Sequence, residues 1–303
     1  MNLPDRIPRP VFRTAIPAAC RHRAGRLFCS LLTVLICSEV VMAAELPLQN
    51  WVCYYGNTRG EERYTRFDLA VLDGLNPPPL VRHDGKPLYL GYVSIGEVHG
   101  SGPYWDLAQG RRFLVKENKA WNSWIVDIRD PQWQALLLNE ILPAVAARGF
   151  DGFFLDTLDS ALYLAEGKGG EKFAGVEQAA VELIGKMRKR YPEKLIAVNR
   201  GLRILPLLAG AIDFVIVENL YSYYDGKDDT HRRVDRETQD ILLRQVRAGL
   251  AVKPMLTVLT IDYASPRDKT MADEAIAYSR ERGFIPYVGN HLLDTIYEFT
   301  LAK

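Results

Sequence analysis

From residue 50 onward, short apolar runs alternate with longer stretches in which apolar residues recur every three or four positions. Eight runs predict strands: Trp51–Tyr55, Leu69–Asp73, Tyr89–Ile95, Gly152–Leu155, Leu195–Val198, Phe214–Val217, Met255–Leu259 and Ile285–Val288. Helical spacing appears at Leu137, Ile141, Leu142 and Val145, and again at Val181, Ile184 and Met187. A third helix is predicted from Arg236 to Leu250 on Ile241, Leu242, Leu243 and Val246, and a fourth from Lys269 to Arg282. Asp130-Pro131 reads as N-cap and first helical residue, Gly249 lies near the end of the third helix, and Gly283 reads as the stop of the fourth. Repeated β-then-α units predict a parallel sheet with helical crossovers. Eight of them in about 255 residues predict an α/β fold, a single (β/α)8 TIM-like barrel. A doubly wound open sheet is the alternative, but no Gly-rich dinucleotide turn follows any strand. Gly96 to Asp127 lacks the pattern and carries Tyr104, Trp105, Trp121 and Trp124, which predicts an elaborated loop over the barrel mouth.

The strand ends carry the candidate chemistry. Phe153 to Leu155 runs straight into Asp156, with Asp159 three residues on, and Val215 to Val217 runs into Glu218. Tyr54 and Tyr55, Asp73, Glu97, Asn199 and Arg200, Asp262 and Tyr263, and Asn290 and His291 close the other strands. In a barrel these ends converge on one mouth, where polar groups serve catalysis. Two carboxylates two strands apart can flank a glycosidic bond as nucleophile or base and as acid. The competing readings are a helix cap for Asp156 and a salt bridge to Arg200 for Glu218. A metal-dependent hydrolase using Glu97, Asp156, Asp159 and Asp262 is a further alternative, although no H-x-H or HExxH motif is present. Aromatic rings at Trp105, Trp121, Tyr221, Tyr223, Tyr224 and Tyr263 suit stacking on sugar faces. Asn199-Arg200-Gly201 reads as a binder of substrate polar groups or an orienter of Glu218, and Asp159 as a group that orients substrate or Asp156.

The first residues differ from the rest. Six arginines precede the apolar stretch Leu27–Ser38, and Val41-Met42-Ala43-Ala44 follows, which predicts a signal peptide over 1–44. Cleavage is expected after Ala43 or Ala44, with an uncleaved anchor as the alternative, leaving 45–303 as an exported domain in the periplasm or outside the cell. Without residues 1–44, 32 basic and 35 acidic side chains remain. That balance holds no basic surplus for nucleic acid and is compatible with a cationic substrate. Cys53 is the one cysteine left after cleavage, so no internal disulfide or Cys-based zinc site is expected, and the thiol reads as an inert core group.

The motifs YYG (54–56), GYVSIGE (91–97), VDIRDPQW (126–133), RGFDGFFLDTLDSA (148–161), VNRG (198–201) and VENLYSYYD (217–225) together resemble glycoside hydrolase family 114. This is the endo-α-1,4-polygalactosaminidase family. The resemblance spans about residues 50–298 and extends to the hydrolase domains of hydrolase/deacetylase proteins acting on Pel-like exopolysaccharide. It implies a TIM-like barrel, with no cofactor or metal, that cleaves α-1,4-linked galactosamine and N-acetylgalactosamine polymers internally. Asp156 would be the nucleophile and Glu218 the acid/base of a retaining reaction. Glu218 would then need a raised pKa, while Asp156 stays ionised. Tyr54, Tyr55, Glu97, Asp159, Asn199, Arg200, Tyr221, Tyr224 and Asp262 are the expected substrate contacts. The partner is a cationic galactosamine-containing polysaccharide, with exopolysaccharide export components as further partners and no membrane span after cleavage. A deacetylase domain is not expected in a chain that closes soon after its eighth strand. A non-catalytic polysaccharide-binding barrel is the alternative function.

Overall fold

The computed structural model describes residues 48–301, so the predicted signal peptide lies outside the described residues. Eight parallel strands form one sheet in the order of the chain. They are β1 (Trp51–Tyr54), β2 (Leu69–Leu72), β3 (Leu88–Ser94), β4 (Gly152–Asp156), β5 (Leu195–Asn199), β6 (Phe214–Glu218), β7 (Thr257–Tyr263) and β8 (Ile285–Gly289). The edge strands β1 and β8 meet without a continuous ladder. Trp51 Nε1–H donates to the Ile285 carbonyl at 3.0 Å, and the Trp51 and Tyr287 rings lie 5.9 Å apart. The result is the expected TIM-type barrel, nearly closed, with helices between its strands.

A strand's side chains alternate between faces, and the register fixes which residues look into the barrel. Tyr92 pairs with Phe154 and Ser94 with Asp156 across β3 and β4. Phe154 pairs with Ala197, and Asn199 with Ile216, on the next two strands. Ile261 pairs with Glu218 on β7. Tyr92, Asp156, Asn199, Glu218 and Tyr263 therefore share the inner face at the carboxyl ends. The opposite face meets the helices: the Phe153 ring packs on Tyr191 at 5.0 Å, and Thr260 Oγ1 bonds Ser279.

The helices follow the sequence pattern with three corrections. Asp130 caps its helix by accepting from the Gln132 N–H at 2.8 Å, with Pro131 next. The third helix continues to Val252, two residues past the predicted Leu250. A Cβ at Gly249 would sit 2.4 Å from Leu205 Cγ, so this glycine permits close packing of that helix on the segment after β5. Ile241 is 40 % exposed and lies off the apolar stripe. Strand β7 begins at Thr257 rather than Met255, because Lys253 and Pro254 break the helix first; Met255 is 61 % exposed.

The stretch after β3 forms a three-stranded antiparallel flap of Glu97–His99, Ser123–Val126 and Leu114–Asn118. It starts directly at the carboxyl end of β3, at the barrel mouth. Trp133 Nε1–H fastens its base by donating to the Ile95 carbonyl at 3.0 Å. No helix among the described residues is long and apolar enough to cross a membrane.

The packing at Gly249 sets opposing effects against each other. Alanine gains about 0.5–1 kcal/mol of helix propensity, but overpacking a filled contact costs about 1–3 kcal/mol. Gly249→Ala should therefore lower the urea midpoint with an unchanged slope; a raised midpoint would show that Leu205 yields freely.

Candidate active site

One side-chain amide joins the two strand-end acids. Asn199 Nδ2 donates to Asp156 Oδ1 at 2.9 Å and to Glu218 Oε2 at 2.7 Å. An asparagine NH2 has two hydrogens for this purpose. Since both bonds share one nitrogen, the acceptor oxygens are separated by at most the two lengths end to end, about 5.6 Å. A retaining glycosidase places its carboxyls about 5–5.5 Å apart, an inverting one about 6.5–9.5 Å.

Tyrosines enclose the pair. Tyr263 donates its hydroxyl to Glu218 Oε1 at 2.7 Å. Tyr92 shares the inner face with Asp156, and the Tyr55 ring meets Tyr92 edge-on at 5.1 Å. Burial pushes the Asp156 carboxyl up from the ordinary 3.8 to about 6, and the nearby Glu218 charge adds to the shift. The Asn199 amide, the Thr157 N–H and Tyr92 act against it. Burial and the neighbouring acids likewise push the Tyr92 and Tyr263 hydroxyls well above their usual range. The Cys53 thiol is buried and also pushed up, so it stays protonated. It is the inert group the sequence suggested.

Each of the three residues joined by this amide is followed by a left-handed backbone turn. Thr157 has φ 64°, Arg200 φ 63° and Asn219 φ 56°. A β-branched residue such as Thr157 is a true outlier there, and the conformation costs about 1–3 kcal/mol. Its hydroxyl offsets part of this by donating to the Asp156 carbonyl at 2.6 Å and accepting from the Gly96 N–H at 2.9 Å. Gly96 follows β3, so these bonds tie the turn after Asp156 to the neighbouring strand.

The predicted contacts separate by strand parity. Asn199 and Tyr55 stand at the mouth. Tyr54, one residue earlier, faces outward, 1 % exposed and stacked on Tyr64. Asp262 precedes inward-facing Tyr263 and is sealed on the other face. Its Oδ1 accepts from the Tyr221 and Ser222 N–H groups at 2.7 and 2.9 Å, and burial pushes its pKa up to about 7. It anchors the segment after Glu218 and, fully buried, does not open on the barrel mouth. Tyr221 turns toward the outer helix, where its hydroxyl bonds Glu274 at 2.9 Å. Glu97 is 6 % exposed inside the flap, accepting from Asn118 Nδ2 and Ser123 Oγ. Asp159 accepts from the Gly201 N–H at 2.8 Å and from Arg200 Nε at 3.2 Å. Arg200 donates to the backbone carbonyl of Glu218 at 2.7 Å rather than to its carboxylate, so the salt-bridge reading of Glu218 does not hold. Tyr224 lies on the hairpin after β6, its ring stacked on His291 at 3.7 Å. Tyr92 was missed as a contact; it shares the inner face with Ser94, two residues on, and the alternation alone could have found it. Among the described residues no three His, Cys, Asp or Glu side chains are placed to hold a metal ion.

The raised Asp156 pKa has a stability consequence. Between about pH 4 and 6 the folded chain keeps a proton that the unfolded chain releases, so stability falls as pH rises through that window. At pH 7 the ionised group costs up to about 3 kcal/mol. Asp156→Asn should raise Tm at pH 7 and narrow that gain toward pH 4; an equal Tm at both pH values would contradict the shift.

A profile of the glycoside-hydrolase family GH114 matches residues 42–302. An uncharacterised protein from Deinococcus radiodurans is 28% identical over 267 residues, covering 82% of each chain. Another from Thermotoga maritima is 26% identical over 292 residues, covering 88% of each. Among solved structures, the glycoside hydrolase domain of PelA from Pseudomonas aeruginosa is 26% identical with a TM-score of 0.70. The match covers 82% of this chain and 97% of that domain. Aspergillus fumigatus Ega3, solved in complex with galactosamine, is 14% identical with a TM-score of 0.58 over 82% of this chain and 94% of its own, a likeness of fold. The chain is a glycosidase and belongs to the glycoside-hydrolase family GH114.

Proposed function

We propose that this protein hydrolyses α-1,4-linked galactosamine and N-acetylgalactosamine polysaccharide, a Pel-like exopolysaccharide, internally and with retention of configuration. The observation that carries the reading is the Asn199 amide holding the Asp156 and Glu218 oxygens within about 5.6 Å of each other. A non-catalytic binding barrel has no need of such a pair. The choice of sugar rests on the motif resemblance and on the galactosamine in the Ega3 complex.

In this mechanism the Glu218 carboxyl gives its proton to the glycosidic oxygen while an Asp156 oxygen attacks the anomeric carbon. The leaving chain departs as an alcohol and a glycosyl ester of Asp156 forms. Glu218, now ionised, takes a proton from water, and the resulting hydroxide displaces Asp156 from the anomeric carbon. Asp156 at about 6 is ionised at neutral pH and available to attack. The Glu218 charge is one cause of the Asp156 rise, so the two acids titrate as a coupled pair. The reaction requires the form with the negative charge on Asp156 and the proton on Glu218. Tyr263 and Asn199 fix the plane of the Glu218 carboxyl. Tyr55 offers an apolar ring at the mouth, and residues 1–44 direct the domain to the periplasm or the exterior, where export components are its partners.

Asp156→Asn and Glu218→Gln should each lower oligosaccharide release from galactosamine polymer by about 10²–10⁴-fold while far-UV circular dichroism stays native. The first product followed by NMR should be the α-anomer, and kcat/KM should fall below about pH 6 as Asp156 takes up its proton. A β-anomer as first product would overturn retention, and full activity in both variants would overturn the assignment of the pair. Mass spectrometry of the exported protein should find an amino terminus at Ala44 or Glu45; an intact leader would show an anchor.

A further inference from the structure

Beside the acid pair lies a second cleft of about 470 Å3. One wall is the segment that leaves Asp156. Asp159, Tyr163 and Glu166 recur there at intervals of four and three residues, along one side of the helix Leu158–Tyr163 and its continuation. Arg200 and Arg203, from the segment that leaves Asn199, form the facing wall. The floor is apolar, with Leu202 and Leu242 both buried. The cleft adjoins the catalytic mouth through Arg200, which bonds the Glu218 carbonyl with Nη1 and Asp159 with Nε.

The charges lining this cleft cancel. Asp159 pairs with Arg200 at 3.2 Å, and Glu166 pairs with Arg203. The Lys116 ammonium, 5.2 Å from the Tyr163 ring centroid, is balanced by Glu177, which also pairs with Arg203 at 2.9 Å. A protonated amino sugar therefore gains nothing from Coulomb attraction here and loses part of its hydration. A neutral acetamido sugar fits all three linings. Its carbonyl oxygen can accept from a guanidinium N–H, its methyl group can rest on Leu202 and Leu242, and its ring can stack on Tyr163, which is 53 % exposed. Among the described residues the acids at the catalytic mouth have no such cationic partners: Asn199 donates to both, and the Tyr263 hydroxyl donates to Glu218.

We infer that this cleft is a distal subsite selecting an N-acetylated residue of the same polysaccharide chain that is cut at Asp156 and Glu218. The inference rests on the proposed galactosaminidase activity and adds to it a preferred acetylation pattern. The chain is drawn toward blocks that present an acetylated unit beyond the scissile bond.

The test is steady-state hydrolysis of two galactosamine polymers of equal length, one half-acetylated and one fully deacetylated, by the wild-type protein, Tyr163→Ala and Tyr163→Phe. The wild-type protein should show the lower KM on the half-acetylated polymer. Tyr163→Ala should raise that KM about two- to ten-fold, the range a lost stacking contact gives. Its kcat on both polymers and its KM on the deacetylated one should stay unchanged, and Tyr163→Phe, which keeps the ring, should match wild type. A wild-type preference for the deacetylated polymer, or an equal KM change on both polymers in Tyr163→Ala, overturns the subsite alone. Failure of the wild-type protein to cut either polymer overturns the activity and the subsite with it.

Discussion

The site depends on a single planar amide that serves two carboxylates at once. When both are ionised, Asp156 and Glu218 repel each other, and unassisted they would turn apart or trap protons. Asn199 offsets that repulsion by giving each acid one hydrogen from the same nitrogen. The arrangement needs three adjacent parallel strands whose last residues point the same way, which the order β4, β5, β6 supplies. An aspartate in the middle would add a third negative charge and no donor. A glutamine would carry its amide one methylene farther and alter the spacing that decides the stereochemistry.

Around this amide, the backbone makes the same move three times. Thr157, Arg200 and Asn219 each bend the chain into the left-handed region directly after a residue of the site. None is glycine, so each turn is held against its own preference by hydrogen bonds from its neighbours. Thr157 is fastened by Ser94 and Gly96, Arg200 by Asp159, and Asn219 by its N–H to the Ile261 carbonyl at 2.9 Å. Asp262 secures the segment after Glu218 from outside the barrel. Acids that looked like ligand contacts are largely the braces that keep this rim still.

The fold was legible because burial of a parallel sheet writes continuous apolar runs, and all eight runs became strands. The acid pair was legible for the same reason, since a buried run that stops at a carboxylate places it at a strand mouth. What could not be read directly was the facing of adjacent polar residues. Tyr54 and Tyr55, or Asp262 and Tyr263, look equivalent as a list of strand ends, but a two-residue period sends one of each pair inward and the other outward. Only the register with the neighbouring strand, a long-range property, says which. Glu97 was misplaced for a related reason. It follows β3 closely, yet belongs to the flap, where its strand pairs with residues 24 to 28 positions on.

The unlaced joint between β1 and β8 gives the barrel a mechanical asymmetry. A ring of strands held by ladders on seven sides and by isolated bonds on the eighth yields first at the eighth. That joint lies on the far side of the ring from β4, β5 and β6. Opening of the ring is thereby expected first beside Tyr55. The carboxyl pair, whose geometry tolerates little play, rides on the stiff half of the hoop.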